Sequence, residues 1–420
     1  MRSQKALEFL KEHGMSPERI EPAREAVRMA EEMERGLAGQ SASLPMIPTY
    51  ISDTGTIPRE EPVVVIDAGG TNFRCGLVRF TEEGCQAERI QKWKMPGIEK
   101  PASWEDFIRF TADAVEPLMP FTDKIGFCFS YSADITPEMD GKVQRIDKEV
   151  VITGCEGQLV GASLLAELAR RGYPGKKIVI LNDTVAVLLG GLAEGRKESG
   201  CAIGQVSGTG TNTCCSLPEK RIGKLGRGGD RRMIVNLESG MYDGMPRGDF
   251  DRVLDEESHN PGLKHFEKMT AGVYLGELCH RMLIAAGDEG LLRSETAEKA
   301  RALGWIDSAV IDAWAMGERL EEIGEDAEDA AFVQTLCAAM FERSARCMCT
   351  NLAAIVLLSG EETASICAEG SLVQKGRVYR PLLEQLIRTE IREKMGRKLS
   401  FSVGYETTLA GSAAAALLNL

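Results

Sequence analysis

The chain has 420 residues, 43% of them hydrophobic and 27% charged, and a formal net charge of −13. These are the proportions of a globular protein, not of a disordered one, and at roughly 100–200 residues per domain the length suggests two or three domains. The acidic balance argues against nucleic acid, which needs a basic face. It leaves phosphate ligands open, because backbone N–H groups, a few basic side chains and Mg2+ hold phosphates locally.

Residues 1–38 read as two helices: Ala6, Leu7, Phe9 and Leu10, then Ile20, Ala23, Val27, Ala30 and Met33, recur at helical spacing. Gly14 and Pro17 mark the break between them. This charged start (Arg2, Lys5, Glu8, Lys11, Glu12) lacks the apolar segment of a signal peptide. A loop with Pro45, Pro48 and Pro58 leads to a strong strand at 63–66. That strand ends in Asp67-Ala68-Gly69-Gly70-Thr71-Asn72, and a second strand, 75–80, follows at once. A strand, a glycine-rich turn and a strand make a hairpin, not the strand–loop–helix of a dinucleotide or Walker site.

Strand 124–129, helix 158–171 (Leu159, Ala162, Leu165, Leu168 and Ala169 on one face) and strand 177–181 come next. The hairpin pattern then returns: strand 201–206, the turn Ser207-Gly208-Thr209-Gly210-Thr211-Asn212, and strand 213–217. Gly70-Thr71-Asn72 and Gly210-Thr211-Asn212 are one pattern used twice, in two duplicated α/β halves. Residues 270–358 are mainly helical. A strand at 365–367 meets Ala368-Glu369-Gly370-Ser371, and a helix resumes near Arg380. Strand 398–403 then precedes a small-residue helix, 409–418. Strands alternate with helices throughout, so the class is α/β.

Twelve cysteines suggest a disulfide framework at first sight. Cys128, Cys201, Cys214 and Cys215, however, lie in apolar runs and read as buried thiols of an intracellular protein. No Cys/His spacing suits zinc, and Cys347 and Cys349, two apart on a helix, aim apart. The longest apolar runs, such as 352–358, are too short to cross a bilayer. A cytoplasmic protein without membrane or nucleic-acid partners is expected.

Phosphoryl transfer needs positioned phosphates, a metal and a base for the incoming hydroxyl. The first hairpin suits phosphates: its glycines admit an anion close to the backbone, Thr71 adds a hydroxyl, and Asp67 suits a water-bridged Mg2+. A plain hairpin turn is the bland alternative. Asn182-Asp183-Thr184 directly follows an apolar strand, where open α/β sheets place ligand groups. Asp183 there is either a general base or a helix N-cap. Asn182, Asn212, Glu238 and Glu267 are residue types that chelate vicinal sugar hydroxyls, and each also suits a solvated or capping role.

These segments resemble the hexokinase family. The resemblance rests on Ile66–Arg74, 181–185 (Leu-Asn-Asp-Thr-Val), 208–212 and, most specifically, Asn260-Pro261-Gly262, Phe266-Glu267-Lys268-Met269 and 272–277 (Gly-Val-Tyr-Leu-Gly-Glu). Glu32 to Leu37, Met46 to Tyr50, Glu369-Gly370-Ser371 and Gly411-Ser412-Ala413-Ala414 also correspond, so it runs from about residue 30 to the end. It implies an ATP-dependent hexose kinase acting on the 6-hydroxyl, with Asp183 as base and Mg2+ positioned by Asp67. The sugar would meet Ser130, Lys148, Asn182, Asn212, Glu238 and Glu267. Phosphates would meet Gly69, Gly70, Thr71, Asn72, Arg74, Gly208, Thr209, Gly370 and Ser371, and Gly411 and Ser412 would border adenosine.

The implied fold is the two-lobed, actin-like ATPase fold, a duplicated ribonuclease-H-like unit with an interlobe cleft that closes on sugar. The small lobe would be 60–183 plus 404–420, the large lobe 1–59 plus 184–403, in a monomer or homodimer. Departures from the family pattern fall at the sugar (Ser130-Tyr131-Ser132 for Ser-Phe-Pro, Asp147-Lys148-Glu149 for Thr-Lys-Gly), at Glu369 for Asp, and in a looser adenosine segment. A non-catalytic sugar sensor is the alternative on the same fold. An actin-like ATPase acting on protein fits less well, because Glu238, Glu267, Ser130 and Lys148 stand in a sugar-site context.

Overall fold

The computed structural model describes residues 3–146, 150–195 and 200–420. Asp147, Lys148 and Glu149, singled out above for the sugar, lie outside these described residues.

Strand Val63–Ala68 is the middle of the first sheet. Val64 and Ile66 enter an apolar cluster with Phe107, Phe127 and Leu164; Val63 and Val65 enter a second one with Val179, Val185 and Ala413. Burial on both faces is why the strand reads as an unbroken apolar run. The chain turns back as Asn72–Thr81 and then Gly84–Lys94, both antiparallel. On the other side Lys124–Phe129 and Lys177–Leu181 add in parallel. The order across the sheet is 177–181, 124–129, 63–68, 72–81, 84–94.

The second sheet repeats this plan. Cys201–Ser207 pairs antiparallel with Thr211–Pro218, which pairs with Arg232–Asn236; Thr363–Glu369 and Lys398–Val403 add in parallel on the other side. The two-residue strand Ile47–Pro48 extends the edge beyond 232–236. Each half is thus an antiparallel meander of three strands followed by two parallel strands. Behind the second sheet the long helix Ala327–Ser359 buries Phe332, Leu336, Met340 and Leu352 in the largest core cluster. Asp326 caps its start and Gly360, at φ +71°, ends it.

The helix that follows each fifth strand crosses to the other sheet. Asp183–Ala193 leaves the first sheet and packs on 201–207 and 363–369; Thr407–Asn419 leaves the second and packs on 63–68 and 124–129. The two helices touch each other, and small residues make the contact possible. A Cβ on Gly411 would overlap the Ala186 carbonyl, one on Gly190 the Thr407 carbonyl, and one on Gly126 the Ser412 carbonyl.

Two helices are rotated from their sequence-based faces. In Pro22–Leu37 the buried side carries Ala26, Met29, Met33 and Leu37, while Val27 is 50% exposed. In Val160–Arg170 it carries Val160, Gly161, Leu164 and Leu168, whereas Leu159, Ala162 and Ala169 are exposed. The second rotation has a visible cause. Asp140 accepts from Gly161 N at 2.6 Å and Ala162 N at 2.8 Å, which fixes the helix start from a neighbouring loop. Eleven of the twelve cysteines are buried and all are free thiols.

Candidate active site

The ends of the parallel strands and the two hairpin turns converge. Asp67 is the last but one residue of its strand and is 8% exposed. Arg74 stands opposite it on the ladder and donates Nε and Nη2 to Oδ2 at 3.1 and 2.6 Å. Desolvation pushes the Asp67 carboxyl above its ordinary range; the charge of Asp183 acts in the same direction and Arg74 opposes both. Arg74 also reaches Glu406 at 3.7 Å and Thr408 Oγ1 at 3.2 Å. In the turn Gly69 N donates to the Asn72 carbonyl at 3.0 Å, and Tyr131 Oη donates to the Gly69 carbonyl at 2.7 Å. Gly70 is half-buried, and Thr71 and Asn72 are exposed. Ser130 follows strand 124–129, its N–H on the Ala68 carbonyl at 3.2 Å.

At the neighbouring strand end the N-cap is Asn182, not Asp183: Asn182 Oδ1 accepts from Thr184 N at 2.9 Å. Asp183, the first helical residue, has Oδ1 held by Thr184 N at 2.8 Å and by Thr184 Oγ1 at 3.2 Å. Its Oδ2 takes no hydrogen bond among the described residues, which leaves an acceptor for an incoming hydroxyl.

The second turn brings Asn212 to the same place. Its Oδ1 accepts from Thr213 N at 2.7 Å and Ser239 N at 3.2 Å, and its Nδ2 donates to Asn236 Oδ1 at 2.9 Å. The same Nδ2 lies 3.5 Å from both Asn182 Oδ1 and Glu238 Oε1. Glu238 comes two residues after strand Arg232–Asn236 in a left-handed conformation, φ +55°. Burial raises its carboxyl above the ordinary range, as do the charges of Asp183 and Glu267, against the Asn236 hydrogen bond and Lys264. Glu267, on helix His265–Thr270, accepts from Thr211 N at 3.2 Å and pairs with Lys264 at 3.4 Å. Asn182, Asp183, Asn212, Glu238 and Glu267 therefore form one cluster of carboxylates and amides.

Gly208, Gly370 and Ser371 meet beside it. A Cβ on Gly208 would come within 3.1 Å of Ser371 N, and one on Gly370, at φ +115°, would overlap the Ser207 carbonyl. Thr209, at the tip of the turn, is exposed. Glu369 accepts from Thr407 N at 3.2 Å and from Thr407 Oγ1, tying the strand end to the last helix. Gly411 and Ser412 lie elsewhere. Both are buried in the helix–helix contact, and Ser412 Oγ donates to the Thr408 carbonyl at 2.7 Å.

Sequence reasoning missed Asn236, which joins Asn212 to Glu238, and Thr270, whose hydroxyl bonds Thr211 Oγ1 at 3.1 Å. The same strand-end rule that picked Asn182 applies to Asn236. Thr270 carried no signal.

Two duplicated α/β halves that exchange helices and bring a glycine turn from each to one polar cluster make up the two-lobed, actin-like fold. Two family models, both described as hexokinase, match residues 5–192 and 202–418. Hexokinase-1 of Schizosaccharomyces pombe is 29% identical over 400 residues, 89% of this chain and 82% of that one. Hexokinase-1 of Saccharomyces cerevisiae is 29% identical over 378 residues, 82% and 77% of the two chains. A solved hexokinase from Schistosoma mansoni complexed with glucose superposes at a TM-score of 0.77, with 23% identity over 99% of this chain and 98% of that one. Another hexokinase crystal structure reaches 0.82 at 21% identity over the same shares. The chain belongs to the hexokinase family and is an ATP-dependent hexose kinase.

Proposed function

We propose that the protein transfers the γ-phosphoryl group of ATP to the 6-hydroxyl of a hexose, with Asp183 as general base. The observation that carries this reading is the Asp183 carboxylate, one oxygen held by Thr184 and the other without a hydrogen bond among the described residues, within the amide and carboxylate cluster. The sugar lies against Asn182, Asn212, Glu238 and Glu267, with Ser130 completing the site from the small lobe. Asp183 Oδ2 accepts the hydroxyl proton as the oxygen attacks phosphorus. ATP phosphates run past Gly69 to Asn72 and Arg74 on one side and past Gly208, Thr209, Gly370 and Ser371 on the other. Gly411 and Ser412 shape the floor near adenosine from inside the helix contact.

A single buried carboxylate, Asp67, suits Mg2+, which keeps most of its waters and takes the rest of its shell from substrate phosphates. Mg2+ would neutralise charge on the phosphates there. The lobes are 60–183 with 404–420 and 1–59 with 184–403, consistent with the helix exchange, and they close on sugar to exclude water as a competing acceptor. The free thiols suit a cytoplasmic enzyme.

The test is ADP release with Mg-ATP across glucose, fructose, mannose, glucosamine and N-acetylated amino sugars. Rapid release with at least one hexose, lost in Asp183→Ala, supports the reading; hexose binding without ADP release would favour the sensor alternative.

A further inference from the structure

The sugar cluster contains a side chain whose only visible work is on its neighbours. Asn236 is 6% exposed and closes the edge of its strand. Its Oδ1 accepts from Asn212 Nδ2 at 2.9 Å and lies 3.4 Å from Glu238 N; its Nδ2 donates to Glu238 Oε1 at 2.8 Å. The direction of each bond is fixed by groups that cannot reverse. The backbone donors Thr213 N and Ser239 N both point at Asn212 Oδ1, so the Asn212 amide must present Nδ2 toward Asn236. An ionised Glu238 only accepts, so Asn236 must present its own Nδ2 there.

This network leaves a specific remainder. Of the two Asn212 Nδ2 hydrogens, one goes to Asn236; the other finds, among the described residues, only contacts of 3.5 Å, at the limit of a hydrogen bond. On Glu238 every hydrogen bond among the described residues falls on Oε1, leaving Oε2 as an acceptor.

We propose that Asn236 is a positioning residue that sets the polarity of the sugar site, holding an Asn212 N–H donor and the Glu238 Oε2 acceptor side by side. The pair takes one ring hydroxyl that accepts from Asn212 and donates to Glu238. The ligand class is a hexose with that hydroxyl free. Deoxy, fluoro and O-methyl derivatives at that carbon each lack a donor, an acceptor or both, and are rejected. The inference rests on the reading of this cluster as the sugar site.

The experiment measures kcat/KM and calorimetric affinity for the best hexose and its 2-, 3- and 4-deoxy and fluoro forms, in wild type, Asn236→Ala and Asn236→Asp. In wild type one deoxy position should cost much more than the others. In Asn236→Ala the parent hexose should lose about tenfold or more, mainly in KM, because a site built to bond a hydroxyl discriminates strongly only while its partners are in place. The deoxy analogue at that position should lose little, so its penalty shrinks at least fivefold; this non-additivity is the signature of coupling.

Asn236→Asp keeps the shape but cannot donate to Glu238. It adds a negative charge to a carboxylate already facing Asp183 and Glu267, with Lys264 acting against them. Sugar binding in Asn236→Asp should therefore fail at a higher pH than in wild type. Deoxy penalties unchanged within twofold in Asn236→Ala, together with an unshifted pH profile in Asn236→Asp, overturn the proposal, and a general loss of stability with intact penalties does the same. Hexose binding without turnover would count against the kinase reading alone, since the calorimetric arm still reports on Asn236.

Discussion

Gly70-Thr71-Asn72 and Gly210-Thr211-Asn212 occupy the same place in two copies of one topology, yet their surroundings differ. In the first, Thr71 and Asn72 are exposed, and among the described residues Asn72 Nδ2 bonds only the neighbouring Thr71 Oγ1 at 2.9 Å. In the second, Thr211 is 4% exposed, with its N–H on Glu267 and its hydroxyl on Thr270, and Asn212 is locked to Asn236. The difference comes from helix His265–Thr270, which backs the second turn, whereas the first opens to solvent. A shared tripeptide therefore specifies a turn, and the neighbours decide its use. An open turn suits a ligand that comes and goes with its phosphates; a braced one suits fixed recognition of a sugar. The same contrast holds at the two helix starts. Asp183 begins the helix after the first sheet and Glu406 precedes the helix after the second, where it pairs with Arg74 and its side chain is 82% exposed.

The sharpest way to break this asymmetry is at the helix starts. Asp183→Ala should lower kcat by about 10²–10⁴-fold, the range of a general base, while Glu406→Ala should stay within about threefold because an exposed ion pair contributes little. Steady-state kinetics on the best hexose checks both, and equal effects would dissolve the distinction. Next in size is the brace. Thr270→Val removes the hydroxyl behind Thr211 and leaves a buried partner short of a bond, at a cost of about 1–3 kcal/mol in denaturant titration; a value near zero would mean that the second turn needs no brace.

A smaller effect should appear with pH. Glu238 titrates above its ordinary 4.5 because it is desolvated and faces Asp183 and Glu267. On acidification kcat/KM for sugar should therefore begin to fall above the usual carboxylate range, as a pH–rate profile would show. For stability the sign is opposite. The folded protein holds this proton more tightly than the unfolded chain, so the group costs nothing below pH 4.5 and its penalty grows as pH rises through the raised value. Glu238→Gln should accordingly raise Tm at neutral pH and leave it unchanged in acid. The smallest expected effect is at the open turn: Asn72→Ala should change stability by less than about 0.5 kcal/mol, as denaturant melts would verify.

Much of this was legible beforehand. Strands 124–129, 177–181 and 398–403 lie where their apolar runs placed them, and both hairpins are present. Strand Gly84–Lys94 gave no signal because it is an edge strand exposed along nearly its whole length, so no burial pattern marks its sequence. The helix faces at 22–37 and 160–170 were misjudged because a few alanines and leucines fit more than one face, and distant groups such as Asp140 choose between them. Individual candidate residues stood out as Asn, Asp and Glu, most of them at or just after strand ends. Their convergence was not, since Asn182, Asn212, Asn236 and Glu267 come from separate segments that only the fold brings together. On its residues alone Asp183 read first as a cap, until Asn182 proved to hold that role.

The exchange of helices between the sheets has a consequence for how the chain is made. Residues 63–68 are among the first strands to leave the ribosome, yet one face of them is covered by Leu409, Ala413 and Leu417. Until that helix is synthesised, the cover over Val63 and Val65 is unfinished, and the first half must wait as an incomplete layer while the second half is built. Folding of this protein is therefore expected to finish in one late step that joins both halves, and a nascent chain stalled before residue 407 should bind holdase chaperones that the full-length chain escapes.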